Sequence, residues 1–171
     1  VSVSWAPPPM KAPVQPVGDS PFDVVAGKIL VRTARKATLI PFSRHIEAQA
    51  RHATDPPMVM ASLQLAQHFT AATRARYGEL APFSALVAIF GRGLPEDLGS
   101  GIRGVDLDPE DPLCGQWIVL ILGPHHCAAL IAREQDPTGS VPEAERRFDL
   151  AITYDRDLVT VVARSLLDRM H

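Results

Sequence analysis

Apolar residues recur along this chain at two spacings, and the spacing changes where the predicted elements change. From Thr38 onward they fall at Leu39, Phe42, Ile46, Gln49/Ala50 and Ala53. Steps of three and four residues predict a helix with one buried stripe. Thr38 can cap it, Pro41 lies in its first turn where a missing N–H costs nothing, and Asp55-Pro56-Pro57 ends it. A shorter helix is expected from Ser20-Pro21, a capping residue followed by proline at the first helical position. Met58–Leu63 reads as a strand and Leu65–Leu80 as the next helix, with Leu65, Phe69, Ala72, Tyr77 and Leu80 on its apolar face. His68, Arg74, Arg76 and Glu79 fall mostly elsewhere on that wheel.

Ala85–Phe90 is apolar on both faces, which predicts an interior strand. Strand, helix and strand with so short a return should form a right-handed crossover with the two strands parallel. Gly91–Gly104 holds five glycines and reads as a loop, followed by a short candidate strand at Ile102–Leu107 and a proline turn. Trp117–Leu122 is again apolar on both parities, and Gly123-Pro124 turns the chain back into His126–Ala132. Arg147–Tyr154 alternates, with Phe148, Leu150, Ile152 and Tyr154 expected inward and Arg147, Asp149, Thr153 and Asp155 outward. A last helix over about Arg156–Arg169 should bury Leu158, Val161, Val162, Ser165 and Leu166. The expected fold class is α+β. A central mixed sheet of about five strands, one parallel β-α-β unit and a C-terminal antiparallel meander, is flanked by helices.

Composition narrows the class without naming a chemistry. With 171 residues, the chain is long enough for one domain that buries a core without disulfides or metals. Residues 1–20 hold five prolines and read as a flexible, proline-rich arm that adds little to stability, with residues 21–171 as the domain. Trp5 is expected to be exposed within that arm. A net charge of −2 gives no electrostatic reason to expect nucleic acid or an anionic membrane as partner. No apolar run approaches the ~20 residues that span a bilayer, and the amino end lacks a secretory signal pattern. Cys114 and Cys127 are expected too far apart to pair, and two free thiols suit the cytoplasm.

Several segments, in order, resemble the DICT sensory domain. They are Ser43-Arg44-His45-Ile46-Glu47, the block Gln67–Tyr77, the strand Leu86–Phe90, Asp111–Trp117, and Arg146-Arg147-Phe148-Asp149 with the closing helix. The resemblance spans about residues 20–170 and implies a sensory input module of bacterial signal transduction. Members stand beside diguanylate cyclase, phosphodiesterase, STAS and histidine-kinase modules, with a proposed role in light responses. No output domain follows His171 here, so the expected partner is a signalling output protein in trans, unless the chain is a fragment. A small-molecule ligand and a second copy of the chain are the other expected partners.

Chemistry-bearing clusters are sparse. His125-His126-Cys127 suggests a metal site, but adjacent strand residues face opposite sides, and a structural zinc wants four ligands. Gly91-Arg92-Gly93 suggests a phosphate loop, yet lacks the Lys-Ser/Thr and the helix that should follow. The acidic run Asp106, Asp108, Glu110 and Asp111 lacks the glycine and closing glutamate of a calcium loop. Cys127 lies in an apolar strand, unsuited to attaching a chromophore. No catalytic residue, metal or cofactor is therefore assigned. The leading expectation is a non-catalytic cytoplasmic module that binds a small ligand or a partner to control an output. A ligand-free interaction scaffold is the alternative, and a small enzyme with an unrecognised site ranks third. A ligand would sit at the carboxyl ends of the parallel strands, where Ser62, Gln64, His68 and Arg92 are candidates and Trp117 is a stacking wall.

Overall fold

The computed structural model describes residues 20–136 and 141–170. Its elements are α1 (Pro21–Ala26), β1 (Arg32–Arg35), α2 (Lys36–Gln49), β2 (Met58–Leu65), α3 (Ala71–Leu80), β3 (Leu86–Arg92), β4 (Arg103–Asp106), β5 (Gln116–Leu122), β6 (Cys127–Glu134), β7 (Arg147–Thr153) and α4 (Arg156–Leu167). The seven strands form one sheet in the order β1-β7-β6-β5-β2-β3-β4. β2, β3 and β4 run parallel to one another, and every other neighbouring pair is antiparallel. The α+β class and mixed sheet are as expected, but with seven strands rather than about five. β1 reads Arg-Thr-Ala-Arg, which carries no apolar alternation; it forms because its backbone pairs with β7 at the sheet edge. The expected arm, Trp5 included, lies outside the described residues except for Ser20, whose hydroxyl caps α1.

Strand parity sorts the side chains into two cores. Val59, Ala61, Val87, Ile89, Val119 and Ile121 pack with Leu39 and Ile46 of α2 and Tyr77 and Leu80 of α3. Met60, Ala88, Phe90, Ile118 and Leu120 pack with Phe22 and Val25 of α1 and Val159, Val162 and Leu166 of α4. The sheet is thus covered on both sides, which fits the nearly continuous apolar runs Met58–Ala61, Leu86–Phe90 and Trp117–Leu122 of its central strands. Among the described residues no helix is long and apolar enough to cross a membrane.

Several sequence expectations shift at the edges of elements. The helix expected from Leu65 begins at Ala71, because β2 continues to Leu65 and a 3-10 turn, Ala66–His68, follows. Thr70 caps α3, accepting from the Thr73 N–H at 3.2 Å. Phe42 is 48% exposed, and Ser43 and Glu47 take the buried face instead. β7 has no wet face at its far end: Ala151 and Thr153 are buried under the second helical layer, while Tyr154 is exposed. On α4 Val159 and Ala163 are buried, and Val161 is partly exposed. Cys114 and Cys127 are both free.

Candidate functional site

The parallel pairing of β2 with β3 slips by one residue at the carboxyl end. Ser62 pairs with Phe90, but the next pair is Leu65 with Arg92, so β2 carries one extra residue. The bulge centres on Gln64, whose φ of 71° is rare for a residue with a side chain. As a result the consecutive residues Leu63 and Gln64 both line a cleft on the α2/α3 side of the sheet. β2 then folds into its 3-10 turn, fixed by His68, whose Nδ1 lies 2.6 Å from the Leu63 carbonyl. A carbonyl only accepts, so Nδ1 carries the hydrogen and Nε2 is left for another partner.

The cleft has a volume of about 190 Å³. One wall is α2, which contributes Lys36, Ile40, Ser43, Arg44 and Glu47 at intervals of three and four residues. α3 supplies Thr73, Arg76 and Tyr77. The floor is Trp117, at the start of β5, and Phe148, at the start of β7, their rings edge to face at 5.8 Å. Arg146 completes the lining, its guanidinium 5.4 Å over the Phe148 ring.

Charge is concentrated there. Lys36, Arg44, Arg76 and Arg146 line the cleft together with a single carboxylate, Glu47. Glu47 is almost fully buried and accepts from Arg76 Nε at 2.7 Å and from the Tyr77 hydroxyl at 2.6 Å. Burial, and then the Glu47 charge, push the Tyr77 phenol well above its ordinary pKa, so it remains a donor. Arg146 forks onto Glu134 with two bonds of 2.6 Å and reaches Gln64 Oε1 at 3.2 Å. The hydrogen bonds to Glu134 raise the Arg146 pKa further. Lys36 pairs with Glu143. Arg44 is exposed and makes no ion pair with any described residue. The hydroxyls are committed: Ser43 donates to the Ile40 carbonyl and Thr73 is bonded to Thr70. The cleft therefore sets basic side chains around the aromatic pair Trp117 and Phe148.

Of the candidates read from sequence, Gln64, His68 and Trp117 come together in this cleft. Ser62 does not. It is fully buried on the side of α1 and α4, where its hydroxyl donates to the Gln116 carbonyl at 3.3 Å. Gln116 itself accepts from the Phe22 N–H and donates to Ser20, tying α1 to the sheet. Arg92 is exposed at the end of β3 and shares by parity the side of Phe90, away from the cleft. The adjoining Gly93 N–H donates to Asp106 at 2.7 Å, so the glycine turn serves the chain's own carboxylate. Arg76, expected mostly away from the apolar face of its helix, turns in to Glu47. Lys36, Arg44, Glu47, Tyr77, Arg146 and Phe148 went unassigned from sequence. For all but Lys36 the signal lay in the segments that carry the resemblance, since Ser43–Glu47, Gln67–Tyr77, Trp117 and Arg146–Phe148 meet here.

His125, His126 and Cys127 lie elsewhere. His125 Nε2 is 3.1 Å from Asp55, and His126 bonds to Gln49, beside a smaller cleft near the β5–β6 turn. Cys127 faces the opposite layer and bonds to the Tyr154 carbonyl. Among the described residues no group of three or more His, Cys, Asp or Glu is placed to hold a metal.

Comparison with known proteins bears on this arrangement. A search of curated proteins finds no match. Among solved structures, polyphosphate kinase from Porphyromonas gingivalis is 12% identical with a TM-score of 0.47, covering 85% of this chain and 25% of that one. TrmBL2, an archaeal chromatin protein, is 10% identical with a TM-score of 0.47, covering 86% of this chain and 56% of that one. The chain therefore spans a quarter of the first and just over half of the second. The family model described as the sensory domain in diguanylate cyclases and two-component systems matches residues 28–135. That stretch holds α2, α3 and strands β1 to β6, and so all of the cleft but Arg146 and Phe148. The chain belongs to the DICT family of sensory domains.

Proposed function

We propose that this domain is a non-catalytic input module of bacterial signal transduction that senses a small organic anion in the cleft between α2, α3 and the sheet. One observation carries the reading: side chains from separate segments converge on a cleft whose rim carries Arg44, a cation that pairs with no described carboxylate, above an aromatic floor. A volume below the ~300–1,000 Å³ of drug-sized sites favours a small ligand. α2 is the natural relay, because its inner face lines the cleft while Phe42 on its outer face is half exposed. Occupancy would be read there by an output protein in trans, and the two free thiols suit a cytoplasmic setting.

The test is to express the domain in bacteria, denature the purified protein and identify released small molecules by mass spectrometry. Arg44→Gln is run alongside, since Arg44 is exposed and supports no other described group. A small anion released from the wild type and lost from Arg44→Gln supports the reading. The same molecules released in equal amounts from both proteins would overturn it.

A further inference from the structure

Glu143 is a carboxylate that the chain itself presents to the rim of the cleft. It stands in a short 3-10 turn, Glu143–Glu145, just ahead of β7. One of its oxygens, Oε1, meets Lys36 Nζ and lies 3.9 Å from Arg146 Nη1. The acid is 64% exposed, whereas the two cations are sheltered at 23% and 14%. The cations line the cleft and Glu143 does not. Their mutual placement does not depend on the acid either, because the Lys36 N–H donates to the Arg146 carbonyl at 2.9 Å and Arg146 is forked onto Glu134. The seat is preformed, and its present occupant is an exposed side chain held by an ion pair of the kind that contributes little. The Lys36 hydrogen bond and charge, then His68 and Arg146, hold the Glu143 carboxyl below its ordinary pKa. The same cleft is lined by the half-buried Trp117, whose ring meets the buried Phe148 edge to face.

We infer that Lys36 and Arg146 form a carboxylate subsite of the cleft, filled in the empty domain by Glu143 and taken over by the carboxylate of a small aromatic acid whose ring rests toward Trp117. This rests on the ligand-cleft reading above and adds the ligand class and an internal competitor. The apolar floor gives inorganic phosphate nothing to bury, while an aromatic acid satisfies both halves of the site.

Calorimetric titration at low salt tests this with naphthalene-2-carboxylate and its neutral carboxamide as probes, on wild type, Glu143→Gln and Lys36→Gln, each checked for an unchanged thermal melt. Carboxylate binding should tighten about threefold or more in Glu143→Gln, where the competitor loses its charge. It should weaken about tenfold in Lys36→Gln, where half of the charge-assisted seat is gone. The carboxamide should be indifferent to both changes. Carboxylate affinity that is unchanged or weaker in Glu143→Gln overturns the inference. If the carboxamide binds all three proteins as well as the carboxylate does, the inference fails while the cleft reading stands. If neither probe binds any of the three, the aromatic-acid assignment fails outright.

Discussion

The Tyr77 hydroxyl stands 2.6 Å from Glu47 Oε1, with both side chains buried, and this bond joins α3 to α2 across the head of the cleft. Glu47 needs it. An ionised carboxylate taken out of water must be fully hydrogen-bonded, and its other oxygen is already held by Arg76. Tyr77→Phe removes one of two charge-assisted bonds without making a cavity, and should lower unfolding free energy by about 1.5–3 kcal/mol in urea titration.

The same bond gives stability a pH dependence at the alkaline end. The folded-state pKa of Tyr77 lies well above the ordinary 10.0, through burial first and Glu47 second. Below pH ~10 folded and unfolded chains both hold the proton, and the contribution is fully present. As pH rises past that value the unfolded chain releases its proton and the folded one does not, so stability falls. Urea titrations between pH 9 and 11 should show this slope in the wild type and a shallower one in Tyr77→Phe.

Arg146 and Glu134 form the most sheltered ion pair of the cleft. Arg146→Ala strands a carboxylate that is only 7% exposed, and the expected loss is about 3–5 kcal/mol. Replacing both partners with methionine should recover most of it, because the penalty lies in the unpaired charge. A double-mutant cycle by chemical denaturation checks both statements.

Gly104 in β4 tolerates no side chain. A Cβ there would stand 1.9 Å from the Pro95 carbonyl oxygen, and the Gly104 N–H donates to the Glu96 carbonyl at 2.8 Å. The loop over residues 94–102 therefore lies flat against the sheet edge. Gly104→Ala should cost about 1–3 kcal/mol and be visible as a lower melting temperature, since backbone rather than a flexible side chain must move.

Arg44→Gln is the contrasting case. Its guanidinium holds nothing described in the fold, so the melting curve should stay within about 0.5 kcal/mol of wild type. Loss of a bound anion without loss of stability would mark Arg44 as a binding residue and nothing more.

The sequence by itself determined most of the elements and, for the central strands, that both sides are buried. Period-two and continuous apolar runs marked β2, β3, β5 and β6, because a strand's side chains alternate whatever it pairs with. Parity also set Trp117 on the opposite side from its neighbour Ile118. Local chemistry was legible in the same way, as with the Ser20 cap of α1. What tertiary structure alone decided was whose side chains meet. β1 exists because β7 offers its edge, and its four residues carry no pattern of their own. The bulge at Gln64 turns that residue onto the cleft side, and no residue type there announces a positive φ. Ser62 and Arg92 had the right chemistry at the right strand ends, but regular alternation carried them to the other face. Arg146 and Phe148 reach the cleft from far along the chain because β7 pairs with β6, and β6 with β5. Alternation and capping are local properties of a segment, whereas a binding site depends on strand order and register, which are settled only when the whole sheet closes its core.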